Sequence, residues 1–131
     1  MIASAEEFVR LRTSEDPAEY RRAAWEEAAL DTWFDIIARF PEMKSWVAHN
    51  KTVPLEVLER LVDDPDSDVR HTVATKRKLT LDLFNRLVLD EDETVRAALA
   101  YNRKAPQAVL DRLRNDGSAL VREAAFRKAD R

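Results

Sequence analysis

At 131 residues, with 45% hydrophobic and 36% charged side chains, the chain has the composition of one folded domain and not of a disordered segment. It has no cysteine, one glycine and five prolines, which excludes disulfides, iron–sulfur clusters and thiolate metal sites and leaves little scope for turn-rich β structure. The net charge of −3 counts against bulk nucleic-acid binding, but residues 1–53 carry 7 basic and 10 acidic groups while residues 54–131 carry 15 of each.

The opening stretch, Met1-Ile-Ala-Ser-Ala-Glu-Glu, lacks the basic and apolar regions of a secretory signal. No apolar run approaches the roughly 20 residues that a membrane span needs. The expectation is a cytoplasmic protein with no membrane partner.

Phe8, Val9 and Leu11 mark a first helix from Glu6 to Arg12, and Asp16 to Trp25 reads as a second. Leu30 to Arg39 follows, with Trp33, Ile36 and Ile37 facing inward, and then Pro41 to Asn50. From Pro54 onward the chain becomes regular. Val57, Leu58, Leu61 and Val62 form one helical stripe between Pro54 and Val62, and Pro54 suits the first helical position. Thr80 to Val88 and Pro106 to Arg114 repeat that helix.

Each of these three helices leads into an acidic turn and then a second helix whose start carries Asp66, Asp92 or Ser118, all good N-cap residues. The second helices are expected to bury Val69, Val73 and Ala74, then Val95, Leu99 and Ala100, then Val121, Ala125 and Phe126. Val69-Arg70, Val95-Arg96 and Val121-Arg122 are spaced by 26 residues. So are Asp64, Asp90 and Asp116, and also Leu61, Leu87 and Leu113. A fixed step in this range is the mark of stacked helical repeats.

The pattern continues backward in diverged form, with Met43-Lys44 and Tyr20-Arg21 in place of Val-Arg. The expected fold is all-α: a solenoid of about five helical hairpins filling residues 1–131 as one domain, with diverged capping repeats over 1–40 and regular ones over 41–131. Arg114, where Val62 and Val88 stand in earlier units, and Trp25, where Ala48, Ala74 and Ala100 stand, are read as end-closing substitutions.

The unit Asp64-Pro-Asp-x-x-Val-Arg-x-x-Val-Ala, followed by a Leu-x-x-Leu helix, resembles the leucine-rich repeat variant family and is similar to a short HEAT repeat. The match is good over residues 41–127 and loose over 5–40. The resemblance implies a right-handed α-solenoid whose second helices are short or 3-10, and a binding scaffold. The step of 26 is longer than is usual in the variant family and shorter than HEAT, and the cysteine cluster of some variant proteins is missing. No iron is implied.

For function, Arg21, Arg70, Arg96 and Arg122 form a ladder that either ties acidic turns together or presents a row of anion-binding cations. The loops that leave the second helices are basic: His49-Asn-Lys51, Lys76-Arg-Lys78, Arg103-Lys104 and Arg127-Lys128. These cations either complement helix C-termini or form a continuous stripe for an acidic partner, with Trp46 beside His49 as an anchor. The candidate partner-binding residues are therefore Lys51, Lys76, Arg77, Lys78, Arg103, Lys104, Trp46 and His49.

No phosphate loop, nucleophile elbow or metal-ligand spacing occurs, and most carboxylates sit in turns expected to face water. The expected function is a non-enzymatic scaffold for another protein, without cofactor or metal. The alternative is phosphate-backbone binding along the basic stripe, for which HEAT-like DNA glycosylases offer an analogy.

Overall fold

The computed structural model describes residues 1–129, with side chains through Arg127. Among these residues the regular structure is ten α-helices and one 3-10 turn, with a single parallel bridge between Ile2 and Ala28 and no strand. The chain is all-α, as its sequence predicts. It divides into two compact units, Met1–Leu61 and Val62–Arg131.

Met1–Leu61 contains α1 (Ala5–Thr13), α2 (Pro17–Trp25), α3 (Leu30–Arg39), α4 (Lys44–His49) and α5 (Leu55–Leu61), with the 3-10 turn Pro41–Met43 leading into α4. Helix starts are specified locally. The Ser4 hydroxyl accepts the Glu7 N–H at 3.1 Å, and the Asp16 carboxylate accepts the Ala18 N–H at 2.9 Å. Each satisfies a donor that the helix itself cannot. Phe8, Leu11, Trp33, Ile36, Val47 and Leu58 are fully buried, and Phe8 meets Trp33 edge-on with ring centroids 5.6 Å apart.

Two expectations fail in this unit. Pro54 lies one residue ahead of α5, where its carbonyl accepts the N–H groups of Val57 and Leu58. Its fixed φ serves the N-cap as well as the first helical position. Trp25 does not close the packing: it is 62% exposed, with the Lys51 ammonium 5.9 Å from its ring. Ala23 is the inward residue of α2, and a side chain two positions further on points about 200° around the helix.

Val62–Arg131 contains α6 (Ser67–Ala74), α7 (Leu81–Leu87), α8 (Glu93–Tyr101), α9 (Gln107–Leu113) and α10 (Ala119–Ala129). Helix α8 packs against both α6 and α10. Ala74, Ala97, Ala98, Ala100, Ala124 and Ala125 are buried and small, which lets these backbones approach closely. Val69, Val73, Val95, Leu99 and Val121 fill the same core, as expected, together with Leu83, Phe84, Leu87, Leu110 and Leu113. Asp66 and Asp92 cap α6 and α8 through the N–H groups of Asp68 and Thr94, at 2.9 and 2.8 Å.

Pro106 is again the N-cap and not the first helical residue. Phe126 is 55% exposed, beside the Arg114 guanidinium at 5.9 Å, where burial was expected. Val121 and Ala125, four residues apart, make the inward stripe of α10, and Phe126 stands about 100° away from it.

Candidate functional site

The Val-Arg ladder is decided by geometry in the second unit. Arg70 donates from Nε to Asp90 at 2.9 Å and from its second terminal nitrogen at 3.3 Å. Its remaining nitrogen bonds the carbonyls of Asp64 and Pro65 at 2.8 and 3.1 Å. One guanidinium thus joins its own turn to the next. Arg96 repeats the arrangement on Asp116 at 2.9 and 3.2 Å and on the Asp90 carbonyl at 2.6 Å. Arg122 bonds the Asp116 carbonyl at 2.7 Å.

These carboxylates do not face water, contrary to the sequence expectation. Asp64 is buried, and the side chains of Asp90 and Asp116 are only 7% and 12% exposed. Each also accepts a backbone N–H two residues on, from Asp66, Asp92 and Ser118 respectively, at 3.0, 2.9 and 2.9 Å. The turn is therefore folded around its aspartate, which is then in place for the arginine. The Asp90 hydrogen bond raises the Arg70 pKa against the effect of burial. Burial acts to raise Asp116, but the Arg96 hydrogen bond, the Ser118 N–H and the charges of Arg96 and Arg122 outweigh it, leaving Asp116 below its ordinary value. As a row of anion-binding cations, Arg70 and Arg96 are already occupied.

Between these turns lie two open clefts. One, about 560 Å³, is bounded by Asp63, Arg86, Asp90 and Glu91, with Arg86 paired to Asp63. The other, about 410 Å³, is bounded by Asp90, Arg96, Arg112 and Asp116. Both are lined by the bridging residues themselves.

The basic loops meet at a residue that the sequence reading passed over. Asn102, 4% exposed, donates its amide to the carbonyls of Ala74 and Lys76 at 2.9 and 2.8 Å, and its oxygen accepts the Lys104 N–H at 2.9 Å. That one side chain holds the loop carrying Lys76, Arg77 and Lys78 against the loop carrying Arg103 and Lys104. Arg77, Lys78, Arg103 and Lys104 are exposed and Lys76 is half-buried. Asn50 makes a similar clamp in the first unit, donating to the carbonyls of Ala23 and Glu26 at 2.8 and 3.0 Å and accepting the Thr52 N–H at 2.7 Å. The signal was legible: an asparagine follows α4 and α8 at positions 50 and 102, twice the repeat step apart.

Five members of the expected stripe converge in the second unit, whereas Lys51 belongs to the first. Arg127 is on helix α10 and not in a loop, and the Lys128 side chain lies outside the described residues.

Trp46 and His49 are brought together, with ring centroids 6.0 Å apart and planes nearly perpendicular. Arg12, from α1, lies 3.4 Å over the Trp46 ring. Sequence reading missed Arg12 and Tyr20 here, because helices α1, α2 and α4 meet only in three dimensions. Among the described residues no cluster of three histidine, aspartate or glutamate side chains could hold a metal, and no helix is long and apolar enough to cross a membrane. In comparisons with family models, curated proteins and solved structures, nothing matches this chain.

Proposed function

We propose that this chain is a non-enzymatic helical-repeat scaffold, similar to leucine-rich repeat variant and HEAT solenoids, and that it binds an acidic protein through the basic loops of its second unit. In this reading five hairpins form one right-handed solenoid, stepping along the chain by 26 residues from Met43-Lys44 onward. The helical character of the chain and the recurrence of the arginine–aspartate bridge at Arg70 and Arg96 support it.

The observation that carries the binding surface is the Asn102 clamp. It fixes Lys76 to Lys78 beside Arg103 and Lys104, so that five cations are presented together on ordered backbone. Preorganised like charges favour an oppositely charged partner, because the ordering cost is met before binding. The acidic turns contribute little competing negative charge where Asp90 and Asp116 are held by arginines.

The test is binding of a polyglutamate peptide, duplex DNA and single-stranded RNA, each at low and moderate salt. The expected result is peptide binding that falls at least about tenfold in Arg77→Glu/Arg103→Glu/Lys104→Glu, with unchanged circular dichroism. Peptide binding indifferent to that variant rejects the surface. Tighter binding of either nucleic acid, with the steep salt dependence of phosphate contacts, rejects the protein reading in favour of a phosphate backbone.

A further inference from the structure

Arginines in Met1–Leu61 mostly have partners. Arg10 holds Glu19, Arg22 holds Glu26 and Glu7, Arg39 holds Asp35 and Glu6, and Arg60 lies 4.7 Å from the centre of the Phe34 ring. Arg12 and Arg21, like Arg60, hold no carboxylate among the described residues. Arg12 and Arg21 line one cavity of about 370 Å³, with Tyr20, Ala23, Trp46 and His49.

The cavity has the two halves of a binding site. One half is flat and apolar: Trp46 is 39% exposed and Tyr20 38% exposed, although both carry large hydrophobic area. The other half is cationic and no carboxylate lines it. The Arg12 guanidinium is held at stacking distance on Trp46, and its Nε is buried with no hydrogen-bond partner. A buried donor left without an acceptor loses its hydration with nothing in return. A stacked guanidinium also directs its N–H groups outward around the ring edge, where they form a fork for a carboxylate or phosphate. Arg21, exposed on α2, adds a second cation at the same cavity.

We propose that this cavity binds a small aryl anion, a flat ring carrying a carboxylate or a phosphate. The ring lies against the open area of Trp46 and Tyr20, and the anionic group takes the N–H donors of Arg12 and Arg21. Ligand cavities generally range from about 300 to 1,000 Å³, so one of about 370 Å³ suits a single-ring molecule. The site and the basic loops lie in different units on different residues, and either can fail without the other.

Isothermal titration calorimetry of the full chain tests it, with benzoate, phenyl phosphate, inorganic phosphate and benzyl alcohol as probes. At least one of the two aryl anions is expected to bind with one-to-one saturation, and the tighter of them distinguishes a carboxylate from a phosphate ligand. Inorganic phosphate lacks the ring and benzyl alcohol lacks the charge, so each is expected to bind at least about tenfold more weakly. Arg21→Gln changes an exposed residue and is expected to weaken binding about tenfold with unchanged circular dichroism. Trp46→Leu is expected to weaken it as well, whereas Arg103→Gln leaves it unaltered. The proposal is overturned if neither aryl anion binds at millimolar concentration. It is equally overturned if both Arg21→Gln and Trp46→Leu bind as the parent does.

Discussion

The two units use the same residue types to opposite ends. In Val62–Arg131, Arg70 and Arg96 each meet an aspartate 20 residues further along the chain, and both partners are largely buried. In Met1–Leu61, Arg21 occupies the matching Val-Arg position, but 20 residues beyond it the chain has Pro41. No carboxylate waits there, and Arg21 lies exposed at a cavity rim. Carboxylates of the first unit are held instead by pairs at other spacings, such as Asp35 with Arg39 at 2.7 Å and Glu7 with Arg22 at 3.7 Å. An arginine at such a position is therefore structural or available according to what the fold brings within its reach.

The largest effect is expected from breaking that bridge. Asp90→Ala leaves Arg70 buried without its carboxylate, and about 3–5 kcal/mol of stability should be lost, read from urea unfolding. Arg21→Ala, at the matching position of the first unit, should leave the urea midpoint where it is. Equal losses in the two variants would show that the contrast between the units is not real.

Next in size are the asparagine clamps, which the units share. Asn102→Ala strips hydrogen bonds from the carbonyls of Ala74 and Lys76 and from the Lys104 N–H. With groups at that buried junction left unsatisfied, about 2 kcal/mol is expected to go. Asn50→Ala should cost a similar amount, because it uncovers the carbonyls of Ala23 and Glu26. A loss confined to one variant would mean that the clamps are not equivalent.

Acid should act on both units, through different groups. The hydrogen bond from Arg22 outweighs desolvation and brings Glu26 down from an ordinary 4.5 to about 2. Asp116 is depressed below 3.8. A carboxylate with a lowered folded-state pKa contributes stability that is complete above its unfolded value and disappears as pH falls through the folded one. Melting temperature should therefore decline from about pH 4.5 toward pH 2. Asp116→Asn and Glu26→Gln should each flatten part of that decline while lowering the melting temperature at neutral pH. A profile as steep as the parent's in both variants would assign acid sensitivity to other groups.

The smallest effect is expected from Phe126→Ala. Its ring is 55% exposed, and its melting temperature should stay within a few degrees of the parent's, whereas Phe84→Ala, at 3% exposure, should cost about 3–5 kcal/mol.

Much of the fold was legible because its determinants are local. Apolar stripes at helical spacing located α1, α3, α5, α7 and α9 to within a residue, whereas α4 starts three residues late and α10 runs on through the expected basic loop. Asp16, Asp66 and Asp92 marked three helix starts. The 26-residue spacing likewise singled out Val69, Val95 and Val121 for burial, and they are buried. The misses share a cause. Trp25 and Phe126 were assigned by analogy with buried alanines, yet their helices turn other residues inward. Asp64, Asp90 and Asp116 looked like solvated turn acids, since a sequence shows charge but not what covers it.

The candidate sites divide in the same way. Clusters along the chain, such as Lys76 to Lys78, could be read directly, because neighbours in sequence remain neighbours in space. Tertiary structure alone placed Arg12 over Trp46, set Arg21 at the same cavity and joined two basic loops through Asn102. Sequence by itself determined which segments are helical and which positions recur, since both follow from periodicity and capping. Whether a recurring arginine is buried in a bridge or left open to a ligand was decided only by packing, because that depends on groups supplied by distant parts of the chain.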